Sequence, residues 1–182
     1  MRYLAVLLAY VFVAVGIAAA TLLTTSPAVE AAGGGEVRRC GGGKISLNAD
    51  EKRTFTLHNR ERRDRNLKPL CIHPKLQKAA RSHSKDMIQR DYFSHDTKGR
   101  NESACERIRR FGYRYRHCAE NIAWGSGPKG EPDSIMQNWM DSSGHRANIL
   151  DGRYVEIGIG TYTGTFNGTR NATMYTADFG SR

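Results

Sequence analysis

The sequence has no C-x-x-C pair, no H-E-x-x-H, no G-x-S-x-G and no internal repeat. These absences argue against a structural zinc site, a zincin-type metalloprotease, an α/β-hydrolase nucleophile elbow and a repeat architecture. Acidic residues are scarce beside basic ones: 18 Asp and Glu stand against 28 Lys and Arg, a formal net charge of +10. Long hydrophobic runs occur in one place. Tyr3 to Leu23 reads YLAVLLAYVFVAVGIAAATLL with no charge, and nothing like it recurs, which excludes a multi-span membrane protein. A length of 182 residues with 39% hydrophobic and 25% charged content suits one globular domain. It excludes a fully disordered chain, two large domains and a coiled coil.

What is present begins with an address. Arg2, the apolar run and the small-residue stretch SPAVEAA resemble the three zones of a secretory signal peptide. Residues 1–31 are read as that signal, cut after Ala31 with Val29 and Ala31 flanking the site, or else after Ala28. The alternative is an uncleaved membrane anchor, because about 20 apolar residues also span a bilayer. The segment then contacts membrane in transit or permanently, and either way the remainder lies outside the cytoplasm. Losing 1–31 removes Arg2 and Glu30, so the net charge does not change. The remaining chain of about 150 residues can hide roughly 70% of its unfolded surface, enough for one core.

Cys40, Cys71, Cys105 and Cys118 are an even number in an exported chain, which favours two disulfides. Sequence allows three connectivities. We expect Cys105–Cys118, which closes a short loop, and Cys40–Cys71, which ties a Gly-rich tail to the domain. Arginines cluster at Arg60, Arg62, Arg63 and Arg65, and again at Arg107, Arg109, Arg110, Arg114 and Arg116. Inside a cell such clusters suggest nucleic acid. Outside it, no nucleic-acid partner is expected, and anionic wall polymers or lipid headgroups take its place. The plainer reading is a solvated helix face.

Residues 32–47 contain GGG twice and read as a flexible linker, with residues 48–182 as the folded domain. Asn48 with Glu51 three residues on marks a helix start, giving a helix over 50–66. Leu70 to Ile72 is a short strand candidate, and Pro74 opens a second helix with an apolar stripe through Leu76, Ala79, Ala80, His83, Met87 and Ile88. Further helices are expected over 103–111 and 133–142, the latter leading through SSGHR into a short turn at Ile149 and Leu150. CAENIAW reads as a strand. From Val155 the period becomes two, and Tyr175, Ala177 and Phe179 repeat it after a turn at Asn167-Gly168. Helices first and antiparallel strands last make the class α+β.

Three polar groups stand in unusual settings: His95 in DYFSHDTKGR, Glu120 in AENIA and His145 in SSGHRANIL. Two imidazoles and a carboxylate could hold a divalent metal such as zinc with one position open. They could equally form a buried hydrogen-bonded cluster in which Glu120 orients a histidine. Spacing does not choose between these. His83 reads as a core histidine, and His58, His73 and His117 have no supporting context. Asn-x-Ser/Thr triplets begin at Asn101, Asn167 and Asn171, and we read them as accidental.

The segments LHNRERRDRNLKPL, AARSHSKDMIQRDYFSH, AENIAWG, WMDSSGHRANIL, YVEIGIGTY and YTADFG follow in that order. Together they resemble the CAP superfamily, in particular its bacterial secreted branch of SCP-domain proteins, over about residues 54–180. The resemblance implies a three-layer α-β-α sandwich with a central antiparallel sheet, and a cleft that in many members holds two His and two Glu. His95, Glu120 and His145 match three of these four. The second glutamate is expected three residues after the helix Trp, where this chain has Ser142, and a hydroxyl is neither a good base nor a strong zinc ligand. Asn59 and Arg62, and likewise Asn121 and Asn148, match positions that we read as backbone-bonding scaffold.

On this reading the chain is an exported binding or interaction module for a lipid, a peptide or an anionic cell-wall polymer. His95, Glu120, His145 and Ser142 line its cleft, and His95 and His145 are the candidate zinc ligands. The alternative is a metal-dependent hydrolase in which Glu120 is third ligand or general base. One carboxylate cannot fill both roles.

Overall fold

The computed structural model describes residues 33–182; the expected signal at 1–31 lies outside the described residues. Local chemistry sets the helix starts. Helix α1 (Ala49–Arg63) is capped by Asn48, whose side chain accepts from the Glu51 amide at 2.8 Å while Glu51 accepts from the Asn48 amide at 3.0 Å. This reciprocal box satisfies two amides that the helix itself cannot. Helix α2 (Pro74–Gln89) begins with proline, where the missing N–H costs nothing, and the His73 ring accepts from Lys75 N at 3.2 Å. Helix α3 (Ala104–Arg110) repeats the box with Ser103 and Glu106.

Helices α4 (Pro132–Asp141) and α5 (Ser143–Leu150) follow each other with only the extended Ser142 between them. The expected short turn at Ile149 and Leu150 is thus the end of a longer helix that starts at Ser143. A Cβ added at Gly144 would meet nothing within 4 Å, so no close approach requires glycine there.

The strands are β1 (Gly35–Arg38), β2 (Lys44–Leu47), β3 (Cys71–Ile72), β4 (His117–Ser126), β5 (Glu156–Phe166) and β6 (Thr169–Ser181). One expectation is corrected here. The described part of the segment 32–47 is not a flexible linker, because β1 and β2 pair antiparallel from Gly35↔Leu47 to Arg38↔Lys44. Gly41, Gly42 and Gly43, all at positive φ, turn the chain between them. Leu47 is buried, and Val37 and Ile45 pack against the main core. Glycine repetition marked a turn, and the alternation EVR and KIS carried the strands.

The main sheet has the order β3-β5-β6-β4. β4, β5 and β6 are antiparallel, and the two-residue β3 adds a parallel edge at Cys71↔Glu156. Asn167 and Gly168, both at positive φ, join β5 to β6 in a two-residue turn, the geometry that Asn-Gly favours. On one face Ile157, Ile159, Tyr175, Ala177 and Phe179 meet Leu57 of α1, Ile135 and Trp139 of α4 and Ile149 of α5. On the other, α2 and α3 bring Leu76, Ala79, Met87, Ile88 and Ile108. The result is the expected α+β class, a sheet sandwiched between two helical layers.

The second face is built on glycine. A Cβ on Gly158 would lie 2.1 Å from the Leu76 carbonyl carbon, and one on Gly160 2.2 Å from that of Ala80. The backbone of α2 therefore rests almost directly on β5. That closeness lets the Gln77 side chain bond both the carbonyl and the amide of Ile159, the amide at 2.9 Å, where the short β3 leaves β5 unpaired. Ser84 donates to Gly160 O at 2.9 Å.

Both expected disulfides are present. Cys40–Cys71, with Cα atoms 5.2 Å apart, pins the hairpin to β3. Cys105–Cys118, with Cα atoms 6.1 Å apart, pins α3 to β4. In the chain-entropy account the smaller loop contributes about 3 kcal/mol.

Gly160→Ala is expected to lower the unfolding free energy by about 3 kcal/mol, read as a shift of the urea midpoint at unchanged slope. A loss below about 1 kcal/mol would mean that α2 moves off the sheet freely.

Candidate functional site

Glu120 is the middle of the site. β4 runs antiparallel to β6, so alternation points Cys118, Glu120 and Ile122 toward the α2 and α3 layer, and register sets Glu120 opposite Asp178. Glu120 is 6% exposed and Asp178 fully buried. Two carboxyls side by side in an apolar layer cannot both carry charge uncompensated.

The surrounding residues resolve this. The buried Arg107, from α3, donates through Nη2 to Glu120 Oε2. His95, from the loop between α2 and α3, meets Oε1 through Nδ1 at 2.8 Å. His83 of α2 stands 4.0 Å from the same carboxylate and donates its Nε2–H to Ser94 O at 2.9 Å. Burial pushes Glu120 up, but the His95 hydrogen bond and the Arg107 charge outweigh it and hold Glu120 below the usual range. Asp178 goes the other way, raised well above its usual value by burial first and by the Glu120 charge second. Among the described residues no hydrogen-bond partner meets either Asp178 oxygen, so a charge there has no compensation and the protonated form is favoured beside the Glu120 anion.

Arg107 also fixes the loop that carries His95, donating through Nη1 to His95 O at 2.9 Å and to Thr97 Oγ1 at 3.3 Å. The His95 side chain is 53% exposed. With Nδ1 tied to Glu120, its Nε2 is the nitrogen left for a ligand. His145 reaches the same region along another route. Asn121 of β4 donates to His145 O at 3.0 Å, and Asn148 of α5 donates to Asn121 Oδ1 at 2.9 Å and Glu120 O at 3.4 Å. These amides hold α5 along the outer edge of β4. The half-buried His145 ring lies close enough to His95 for that charge, after burial, to lower its pKa.

The predicted residues are therefore brought together unequally. His95 and Glu120 touch, and His145 approaches from the strand edge. Ser142 sits at the α4–α5 junction, where its amide bonds Asn138 O at 3.2 Å and its side chain caps nothing. Among the described residues, the one trio of His, Cys, Asp or Glu whose ligand atoms all lie within 4.8 Å of one another is Cys40, Cys71 and Glu156. Its two sulfurs are already bonded to each other. Of the two sequence readings, this arrangement fits the second: Glu120, with both oxygens engaged, orients His95. It does not fit a closed three-ligand metal site, although two imidazoles remain.

Arg107 and Asp178 belong to the site and carried no sequence signal pointing there. Arg107 was one of a run of arginines, and Asp178 sat in an alternating strand. Arg62, from the other cluster, is likewise internal. Its guanidinium donates to the carbonyls of Lys68, Ile149, Asp151 and Tyr154. Asn59 bonds both backbone groups of Leu70. His58, which had no context in sequence, is fully buried against Trp139 and Phe179, and burial pushes its pKa down to about 4.

Glu120→Ala leaves the Arg107 charge buried and unpaired and is expected to cost about 3–5 kcal/mol. In chemical denaturation the double variant with Arg107→Ala should lose less than the two single losses together. A second expectation concerns protons. His95 is raised above its usual 6.5 by its hydrogen bond to Glu120, so its stabilising effect is full below pH 6.5 and fades as pH rises through the folded value. NMR titration should find His95 above 6.5 and returning toward it in Glu120→Gln. A His95 value at or below 6.5 in the unmodified protein would remove the orienting bond.

These elements have known counterparts. The chain is 39% identical over 115 residues to the uncharacterised protein YkwD of Bacillus subtilis, covering 63% of this chain and 43% of that one. It is 32% identical over 80 residues to the uncharacterised membrane protein YlbC of the same organism, covering 43% of this chain and 21% of that one. It thus spans less than half the length of these relatives. Among solved structures, an extracellular protein containing an SCP domain from Bacillus anthracis superposes with a TM-score of 0.64 at 28% identity, covering 73% of this chain and 40% of that one. An outer surface protein from Borrelia burgdorferi shares the fold, with a TM-score of 0.61 at 20% identity, over 82% of this chain and 98% of that one. Residues 55–179 match CAP, the Cysteine-rich secretory protein family, and the chain belongs to that family.

Proposed function

We propose that this protein is an exported binding module whose histidine face, His95 and His145 above the buried Glu120, contacts an anionic cell-wall polymer. The observation that carries the reading is the state of Glu120. Both its oxygens are engaged, by His95 and Arg107, and Asp178 beside it is sealed from solvent. A general base needs an oxygen able to reach a substrate proton, and this carboxylate has none to spare. Ser142 stands where the resemblance places a second carboxylate. An exposed imidazole with a fixed tautomer can still donate, accept or ligate. Contact, not turnover, is what this surface offers, and the hydrolase reading has no comparable support.

Export is supported by the two disulfides, which persist in oxidising compartments, and by the likeness to an extracellular SCP-domain protein. No helix among the described residues is long and apolar enough to cross a membrane. A net charge of +10 favours an anionic polymer over a neutral peptide or lipid. Zinc at this face would rest on His95 and His145, with Glu120 behind His95 as carboxylates stand behind many metal-bound histidines. The ligand would have to complete the set.

The test is retention on purified walls, with and without their anionic polymer, at low and high salt. Retention should fall at least tenfold when the polymer is stripped and fall steeply between about 50 and 300 mM salt. It should weaken several-fold in the His95→Ala, His145→Ala double variant. Retention indifferent to stripping and salt would turn the assignment toward a peptide or lipid.

A further inference from the structure

Exposed large hydrophobic side chains are few in this molecule, and they are not scattered. Among the described residues they are Phe93, Trp124 and Val155. Val155 lies beside β3, at the sheet edge away from β4. The other two flank the histidine face. Phe93 is two residues before His95. Trp124 is four residues beyond Glu120 on the same face of β4, about 13 Å along the strand.

The two helices of that layer cover other parts of the sheet. α2 runs over β5, with Leu76 against Gly158 and Ala80 against Gly160. α3 is tied to the other end of β4, by Cys105–Cys118 and by Arg107 on Glu120. Trp124 is left 36% exposed and Phe93 45%. What lies beneath is firmly packed. The Trp124 ring meets Phe166 edge to face with centroids 4.9 Å apart, and Phe166 and Tyr92 pack with Met87, Ile88 and Ile122.

Cations rim this strip. Lys85 stands 6.0 Å from the centre of the Tyr162 ring and Lys98 5.8 Å from that of Tyr92. Tyr162 lies in register with Trp124 across Met174. The nearby acids are already bonded: Asp86 accepts from Tyr92 and Arg90, and Asp91 from the Asn167 amide. Flat rings in a positive surround suit a ligand with apolar faces, polar edges and negative charge. A pyranose ring has such faces, because its C–H groups meet the negative face of an aromatic ring. A bilayer instead takes groups that reach about 5–10 Å into it, which a ring lying on a sheet within a strand does not.

We propose that Trp124, with Phe93 beside it, is a stacking subsite for the sugar rings of an anionic glycan whose charged groups meet His95, Lys85 and Lys98. The inference rests on the binding reading above and names its ligand class: the polymer recognised is one that carries pyranose rings.

The test uses the exported protein with two soluble anionic probes, oligogalacturonate, a carboxylated pyranose chain, and polyphosphate, which has no ring. The chain has two tryptophans, and Trp139 is 1% exposed, so acrylamide quenching of the emission reads Trp124. Oligogalacturonate should bind and cut that quenching at least twofold, and polyphosphate should leave it unchanged. In calorimetry Trp124→Ala, with folding checked by circular dichroism, should weaken oligogalacturonate at least fivefold, the scale of one stacked aromatic contact, and polyphosphate less than twofold. Phe93→Ala, a loop change that leaves the sheet intact, should weaken oligogalacturonate at least twofold. The His95→Ala, His145→Ala double variant should weaken both probes. If it does and neither aromatic variant selectively weakens oligogalacturonate, the stacking subsite is overturned and the histidine face stands. If Trp124→Ala weakens oligogalacturonate and the histidine variant weakens neither probe, the histidine face fails and the stacking subsite stands. No oligogalacturonate binding would overturn the proposal, and so would shielding of Trp124 by phosphatidylglycerol vesicles alone, which would assign the strip to a membrane surface.

Discussion

Burying the Glu120 carboxylate in the sheet organises this molecule. A carboxylate in an apolar layer persists only if opposite charge and hydrogen bonds replace its water, and each replacement recruits an element. Arg107 brings α3, His95 brings the loop after α2, and the buried Asp178 of β6, its pKa raised, stands beside them. The Cys105–Cys118 disulfide fastens the same α3 to the same β4 two residues from Glu120, so the ion pair is clamped covalently as well as electrostatically. Removing the carboxylate would leave α3 with a buried, unpaired charge.

A second constraint is the supply of backbone partners at the sheet edges. β3 is only two residues long, so β5 continues beyond it without a neighbouring strand. Gln77 fills that gap with a side-chain amide shaped like a peptide group. At the opposite edge, the outward carbonyls of β4 are taken by Trp139 on Ile122 O and Asn148 on Glu120 O. Side chains do here part of what a further strand would do, covering the middle of that edge. The same bonds place α5, so the position of His145 follows from the need to cap β4.

Function follows from what this leaves exposed. The charged groups that could have done chemistry are used to satisfy one another, and the outward products of the network are an oriented imidazole at His95 and a neighbouring one at His145. On the function proposed above, such a surface recognises rather than transforms. The arginines divide in the same way: Arg62 and Arg107 are internal struts, while Arg63, Arg65, Arg109 and Arg116 face solvent and keep the outside positive.

Much was legible in the chain because it is local. Asn48 with Glu51, Pro74, Ser103 with Glu106 and Asn167-Gly168 specify helix starts and a turn within a few residues of themselves, and the period of two in EIGIGTY follows from the alternation of a strand. The same locality misled at 32–47, where glycines that mark a turn were read as a linker, and at SSGHR, where a glycine hid a helix. The order of FSH, AENIA and GHRANIL identified the family and named His95, Glu120 and His145. What the sequence by itself determined was therefore the elements, the class and the kinship. The surroundings that bear on whether Glu120 is a ligand, a base or an orienting partner exist only in the folded chain. That choice depends on Arg107 and Asp178, which come from other elements and meet Glu120 through strand register and helix packing, and on the low-dielectric layer in which three ionisable groups must settle among themselves.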